Sequence, residues 1–305
     1  SDLMRLAESK TKKHAFELLR DFGYNNGKDL DENKGYEYYI DKEQHKYHKL
    51  INEVVPHRED LRLFLVESDY HNLKVILKSE FMEVGEKPFL LNAGSIDSSR
   101  LEVLVRGRNY IFFSDVMKRA ILEATEMFSK SGDPQEIDII FDKACYREMI
   151  EAAKRNGTEN LVDEVDDVTD IEDPFLLRYV EKKIDLTNLK TFMRLRQINK
   201  PVAFFMKLFL KDGQLSENIF TSCYEEPFTV IAEKLAPYGL KELVNEGGKD
   251  LKDTGSFSLF EKLCDNDLIK FIKQQKYEPY GISSTAAFLL AKDCEMIALR
   301  QIFSG

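Results

Sequence analysis

Apolar residues recur at steps of three and four along nearly the whole chain. Leu101, Leu104 and Val105 form one such stripe, and Val116, Ala120, Ile121 and Ala124 form another. Leu73, Ile76, Leu77 and Leu189, Phe192, Met193 repeat the pattern. This is the period of a helix with one buried face. Alternation sustained over a strand length does not occur. Its nearest approach, Ile137 to Phe141, runs straight into Asp142-Lys143-Ala144-Cys145, which favours helix. The pattern predicts an all-α chain.

The breaks in the pattern fall between helices. Lys34-Gly35 follows the polar stretch 25–33, and Asp133 reads as an N-cap before Pro134. Asn156-Gly157 reads as the close of the helix that Pro134 starts. Gly94-Ser95 and Gly213-Gln214 are each expected to open a helix, at matching places. Glu246-Gly247-Gly248 and Gly255 are expected to form a loose loop. No long Ser/Gly linker separates these segments.

One helical motif appears three times. It reads Asp69-Tyr70-His71-Asn72-Leu73-Lys74, then Asp185-Leu186-Thr187-Asn188-Leu189-Lys190, then Glu295-Met296-Ile297-Ala298-Leu299-Arg300. The copies lie 116 and 110 positions apart. A second element precedes each copy: Ile40-Asp41-Lys42, Phe141-Asp142-Lys143 and Phe260-Glu261-Lys262, spaced by 101 and 119. Six matches in one order indicate a threefold internal repeat, with divisions at 1–91, 92–210 and 211–305. Within the motif, the acid, the Asn three residues on and the Leu four residues on share one side of a helix. The Leu heads an apolar stripe, so acid and amide are expected at the edge of a buried seam. There they can hydrogen-bond a neighbouring helix or loop. The base lies about 140° round from the acid and is expected to pair elsewhere.

Composition narrows the function classes. Of 305 residues, 43% are hydrophobic, enough for real cores, and 44 basic residues against 54 acidic ones give a net charge of −10. That balance argues against a dedicated nucleic-acid binder. The longest apolar run, Val202 to Met206, is stopped by Lys207, so no direct membrane span is expected. Cys145, Cys223, Cys264 and Cys294 are scattered and read as reduced thiols packed in helices. The first residue is not Met, which points to a trimmed or truncated N-terminus.

Searches for chemistry return little. The acidic stretch 163–173 lacks the Asp-x-Asp-x-Asp-Gly order of a calcium loop and reads as a solvated loop. His45 and His48 stand three apart with no third ligand evident, so no metal is expected. Asn26-Gly27-Lys28-Asp29 is not a phosphate loop, and neither a dinucleotide fingerprint nor a nucleophile elbow occurs. No cofactor, nucleotide site or catalytic residue is expected.

The motifs resemble those of the C subunits of the archaeal and bacterial V/A-type ATPases, relatives of the d subunits of eukaryotic V-ATPases. Asp185 through Arg194 is similar to that family's acid-x-x-Asn-aliphatic-base segment. The stretch from Glu278-Pro279-Tyr280-Gly281 to Leu299-Arg300 resembles its C-terminal signature. Phe16-Glu17-Leu18-Leu19, Phe22-Gly23-Tyr24 and Asp69 to Lys78 resemble its first repeat. The resemblance covers the chain apart from the start of the first helix. Ala298 departs from the Asn of the first two copies.

The resemblance implies three similar helical domains about a pseudo-threefold axis, shaped as a funnel. It implies a non-catalytic rotor component, peripheral on the cytoplasmic side of the membrane. Its partners would be the D and F subunits of the central stalk and the membrane proteolipid ring, in a motor that pumps ions or makes ATP. Two other classes remain open. A helical-repeat scaffold unrelated to rotary motors would show repeats of 33 to 47 residues, which do not appear. A helical enzyme using Asp69 and Asp185 would need strongly shifted carboxylates in a pocket.

Overall fold

The computed structural model describes residues 2–9, 11–54, 62–82, 90–91, 94–158, 174–274 and 282–304. Every regular element among them is helical. In chain order they are α1 (Asp2–Ala7), α2 (Lys12–Asp21), α3 (Gly35–Val54), α4 (Arg62–Phe81), α5 (Ser98–Arg106), α6 (Asp115–Ser131) and α7 (Pro134–Thr158). There follow α8 (Pro174–Gln197), α9 (Val202–Leu208), α10 (Glu217–Thr221), α11 (Phe228–Leu235), α12 (Lys241–Thr254), α13 (Ser258–Gln274) and α14 (Ile282–Ser304). The all-α expectation holds, and Ile137 to Phe141 lies inside α7. The acidic stretch 163–173 and the segment 278–281 fall outside the described residues, as do the side chains of His45 and His48.

Local chemistry sets the helix ends. Asp133 caps α7, its Oδ1 accepting from the Gln135 amide at 2.9 Å. Asp97 and Ser114 cap α5 and α6 in the same way. Gly132 and Gly255 follow α6 and α12 with φ of 66° and 71°, the left-handed turn that stops a helix without a Cβ clash.

Two expectations are corrected. Glu246-Gly247-Gly248 is not a loop: it lies within α12, and both glycines are buried. A Cβ on Gly247 would sit 2.5 Å from Cδ2 of Phe260, and one on Gly248 2.8 Å from Cγ of Phe228. The glycines are there to admit two aromatic rings against the helix backbone. Gly94-Ser95 and Gly213-Gln214 do not open helices either; α5 and α10 start at Ser98 and Glu217. The residues between form a bend whose amides are taken by the motif acids.

The chain divides into two compact units, Ser1–Leu61 with Ile272–Gly305, and Arg62–Phe271. In the first, α14 packs on α3 and α1. Phe303 stacks on Tyr36 at 4.8 Å and meets Phe16 edge-on at 5.9 Å, while Leu6, Leu19 and Ile40 are fully buried. In the second, α4 packs on α5 and α7, and α7 packs on α6 and α8. The core of its C-terminal half gathers Leu189, Phe192 and Met193 of α8 around Phe205, Phe220, Ile231, Val244 and Phe260 from α9 to α13. Phe192, Phe205, Phe220 and Tyr224 form an aromatic cluster with ring centroids 5.3–6.3 Å apart.

Candidate functional site

The first two motif copies build the same latch. Asp69 and Asn72 of α4 are fully buried, and Asp185 and Asn188 of α8 are 7% and 1% exposed. Asn72 and the Leu91 backbone exchange two hydrogen bonds, Nδ2 donating to Leu91 O and Leu91 N donating to Oδ1, both at 2.8 Å. Asn188 does the same with Leu210, at 2.8 and 2.9 Å. A side-chain amide thus mimics a strand partner and satisfies a backbone that no helix serves.

The acids hold the next turn of chain. Asp69 accepts from the amides of Ser95 and Ile96 at 3.0 and 3.2 Å, and from Ser95 Oγ at 2.5 Å. Asp185 accepts from the amides of Gln214 and Leu215 at 3.2 and 2.9 Å. The backbone reaches each carboxylate because a glycine precedes it. A Cβ on Gly94 would lie 2.1 Å from Asp69 Oδ1, and one on Gly213 2.3 Å from Asp185 Oδ1. Burial pushes the Asp185 carboxyl up to about 6 against two amides that pull it down. Burial also raises Asp69, opposed by Ser95 and Ile96.

The bases face elsewhere. Lys74 pairs with Asp142, the acid of the second repeated element on α7. Lys190 reaches Asp265 on α13 at 3.4 Å, and Arg194 pairs with Glu261, again the second-element acid. In the first unit, Arg300 binds Asp41 at 2.8 Å and Glu37 at 3.1 Å on α3. Each motif base therefore pairs with a second element, or its helix, other than the one that precedes it in sequence. The third copy has no Gly bend on its acid among the described residues. Glu295 accepts instead from Tyr24 Oη at 2.8 Å and Lys292 Nζ at 2.9 Å, and Leu299 is buried.

A further buried acid lies outside the motif. Glu148 of α7, 1% exposed, accepts from Arg62 Nε and Tyr70 Oη at 2.8 Å each and from Ser114 Oγ at 2.9 Å. It ties α4, α7 and the start of α6. A lone Glu between Cys145 and Met149 on an apolar face was its only sequence signal.

These carboxylates are engaged in structural hydrogen bonds. Both oxygens of Asp69 and of Asp185 are bonded to N–H or O–H donors. Neither residue lines either of the two best-formed cavities among the described residues. The larger cavity, about 520 Å³, lies at the end of α8 and is lined by Arg196, Lys200, Tyr224, Glu225, Phe228 and Lys252 with four others. The smaller, about 250 Å³, lies between α6 and α7 beside Lys207. Among the described residues no helix is long and apolar enough to cross a membrane.

Comparison with known proteins adds the following. A family model described as "ATP synthase (C/AC39) subunit" matches residues 1–305. The C subunit of the V-type sodium ATPase of Enterococcus hirae is 23% identical over 276 residues, covering 89% of this chain and 78% of that protein. The C subunit of the V-type ATP synthase of Thermus thermophilus is 23% identical over 257 residues, covering 80% of this chain and 68% of that protein.

Proposed function

We propose a rotor role for the chain on one premise: it belongs to the ATP synthase (C/AC39) subunit family. Members of this family are accessory parts of a rotary ATPase, distinct from its catalytic components. Within that motor the chain couples the central shaft, made of the D and F subunits, to the membrane proteolipid ring. Torque passes through it during ion pumping or ATP synthesis. It sits peripherally on the cytoplasmic side, with three similar domains about a pseudo-threefold axis. The observation that carries this role is the whole-chain family match.

Three structural features support it. The buried acids Asp69, Asp185 and Glu148 tie separate segments of the chain together, which suits a part under torque. The motif helices pair with elements from outside their own sequence repeat, so adjacent repeats are interlocked. No membrane-spanning helix occurs among the described residues, which fits peripheral attachment to the ring.

The test is a tagged pull-down from gently solubilised membranes of the chain's own organism, with the bound proteins identified by mass spectrometry. Recovery of a proteolipid together with the D and F subunits is expected. Recovery of soluble partners alone would remove the rotor role and bring the scaffold forward.

A further inference from the structure

The cavity at the end of α8 has no part in the latches. Its cations are Arg196, Lys200 and Lys252, and its one acid is Glu225. In a chain of net charge −10 this is a local excess of two positive charges. Among the described residues none of the three cations forms an ion pair with a carboxylate. Tyr224, Phe228, Leu251 and Pro201 supply an apolar wall, and about 520 Å³ is the size of a small-molecule pocket.

Arg196 is built into this site. Its guanidinium lies over Phe192 and Phe228, at 5.4 and 5.1 Å from the ring centroids, and Nη2 donates to Glu226 O at 2.6 Å. Nη1 is buried and has no hydrogen-bond partner among the described residues. A shielded cationic donor without an acceptor is costly, and such groups mark places where a further partner belongs. Burial lowers the Arg196 pKa, against Cys223, Glu225, Tyr224 and Glu226 nearby, which raise it. The turn that carries Lys200 is also fixed, because Tyr224 Oη donates to Lys200 O at 2.9 Å and Gln197 Nε2 to Gly255 O at 2.6 Å.

We propose that this cavity binds a phosphate group carried on a small apolar body. Lys200 and Lys252 approach the phosphate from the rim, and a slight turn of the Arg196 guanidinium gives Nη1 its acceptor. The apolar part rests on Tyr224, Phe228 and Leu251. A doubly charged phosphate matches the excess charge, and one arginine with two lysines supplies donors on several sides of a tetrahedral anion. A soluble phosphomonoester and a lipid headgroup both carry this chemistry, and the two sources are separable by experiment.

The probes are phenyl phosphate, inorganic phosphate, and phosphatidylcholine vesicles with and without phosphatidic acid, all offered to the full chain at fixed ionic strength. Calorimetry is expected to show phenyl phosphate binding more tightly than inorganic phosphate. The double variant K200Q/K252Q should weaken that binding by about tenfold or more. Both lysines are exposed, so its melting temperature should match that of the parent. If vesicles with phosphatidic acid also bind, and the variant loses them, the source is a headgroup. If only the soluble probe binds, the source is a soluble ester. No binding of any probe, or binding that the variant leaves unchanged, would overturn the proposal. Neither result bears on the rotor role, which the pull-down tests separately.

Discussion

Gly213→Ala tests the latch without touching a polar group. The backbone of Gly213 is not in the left-handed region, so alanine changes only the space available. The added methyl would meet Asp185 Oδ1 at 2.3 Å and Ile184 Cγ2 at 2.9 Å, both impossible contacts. The bend has to back away, and it carries the Gln214 and Leu215 amides that bind the carboxylate. A hydrogen bond to a charged group contributes about 1.5–3 kcal/mol, so losing both costs about 3–5 kcal/mol after partial relaxation. Urea unfolding gives the total, and hydrogen exchange at the two amides shows whether the loss is local. The control is a double-mutant cycle with Asp185→Ala, which removes the oxygen in the way. In that background Gly213→Ala should cost about 1 kcal/mol, from overpacking at Ile184 alone. A cost below about 1 kcal/mol in the parent, or strict additivity with Asp185→Ala, would refute the steric account.

Other outcomes follow from the same geometry. Asn188→Ala strips the Leu210 backbone of two buried hydrogen bonds and should cost about 2–3 kcal/mol in urea, with Asn72→Ala a parallel case at Leu91. Gly248→Ala sets about 1 kcal/mol of helix propensity against overpacking at Phe228, which costs about 1–3 kcal/mol. It should lower the melting temperature, and Phe228→Leu in the same chain should recover part of the loss; a rise in the single variant would contradict the packing account. The Asp185 carboxyl should titrate near pH 6 by its carbon NMR shift. Its folded pKa lies above the unfolded value, so its contribution is fully present below about pH 4 and lost as pH rises through about 6, at most about 3 kcal/mol. Titration below about pH 4.5 would show that the two amides outweigh burial.

Much of the fold was legible because helices announce themselves by period. The stripes at Leu73, Ile76, Leu77 and at Leu189, Phe192, Met193 are core in the structure. The motif also carried its own chemistry, since an acid and an amide on the apolar side of a helix have to find partners. Which partners was not legible: Leu91 lies 19 residues beyond Asn72 and Leu210 22 beyond Asn188, and the two sites share little local sequence apart from the glycine three residues later. Gly247-Gly248 misled because glycine in sequence signals either a loop or a close approach. Only the three-dimensional position of Phe228 and Phe260 distinguishes the two. Glu148 was hidden for a similar reason, because its three donors come from widely separated places, Arg62, Tyr70 and Ser114.

The pairing of the bases has a mechanical consequence. If each motif helix had packed only within its own sequence repeat, the chain would be three beads on a string, and a load could part them at their linkers. Instead α4 is tied to α7 by Lys74–Asp142 and Lys78–Asp138, and α8 to α13 by Lys190–Asp265, Lys182–Asp267 and the stacking of Phe175 on Phe271 at 5.7 Å. The exposed ion pairs contribute little individually. The seams they border are different, because Tyr70 meets Phe141 and Phe192 shares a core with Phe260. Pulling one repeat from the next therefore exposes buried aromatic surface and breaks the hydrogen bonds by which Asp69 and Asp185 hold the start of the following repeat. Resistance of that kind arises from covalent continuity in one repeat combined with packing in another. It needs no rigid linker between one sequence repeat and the next.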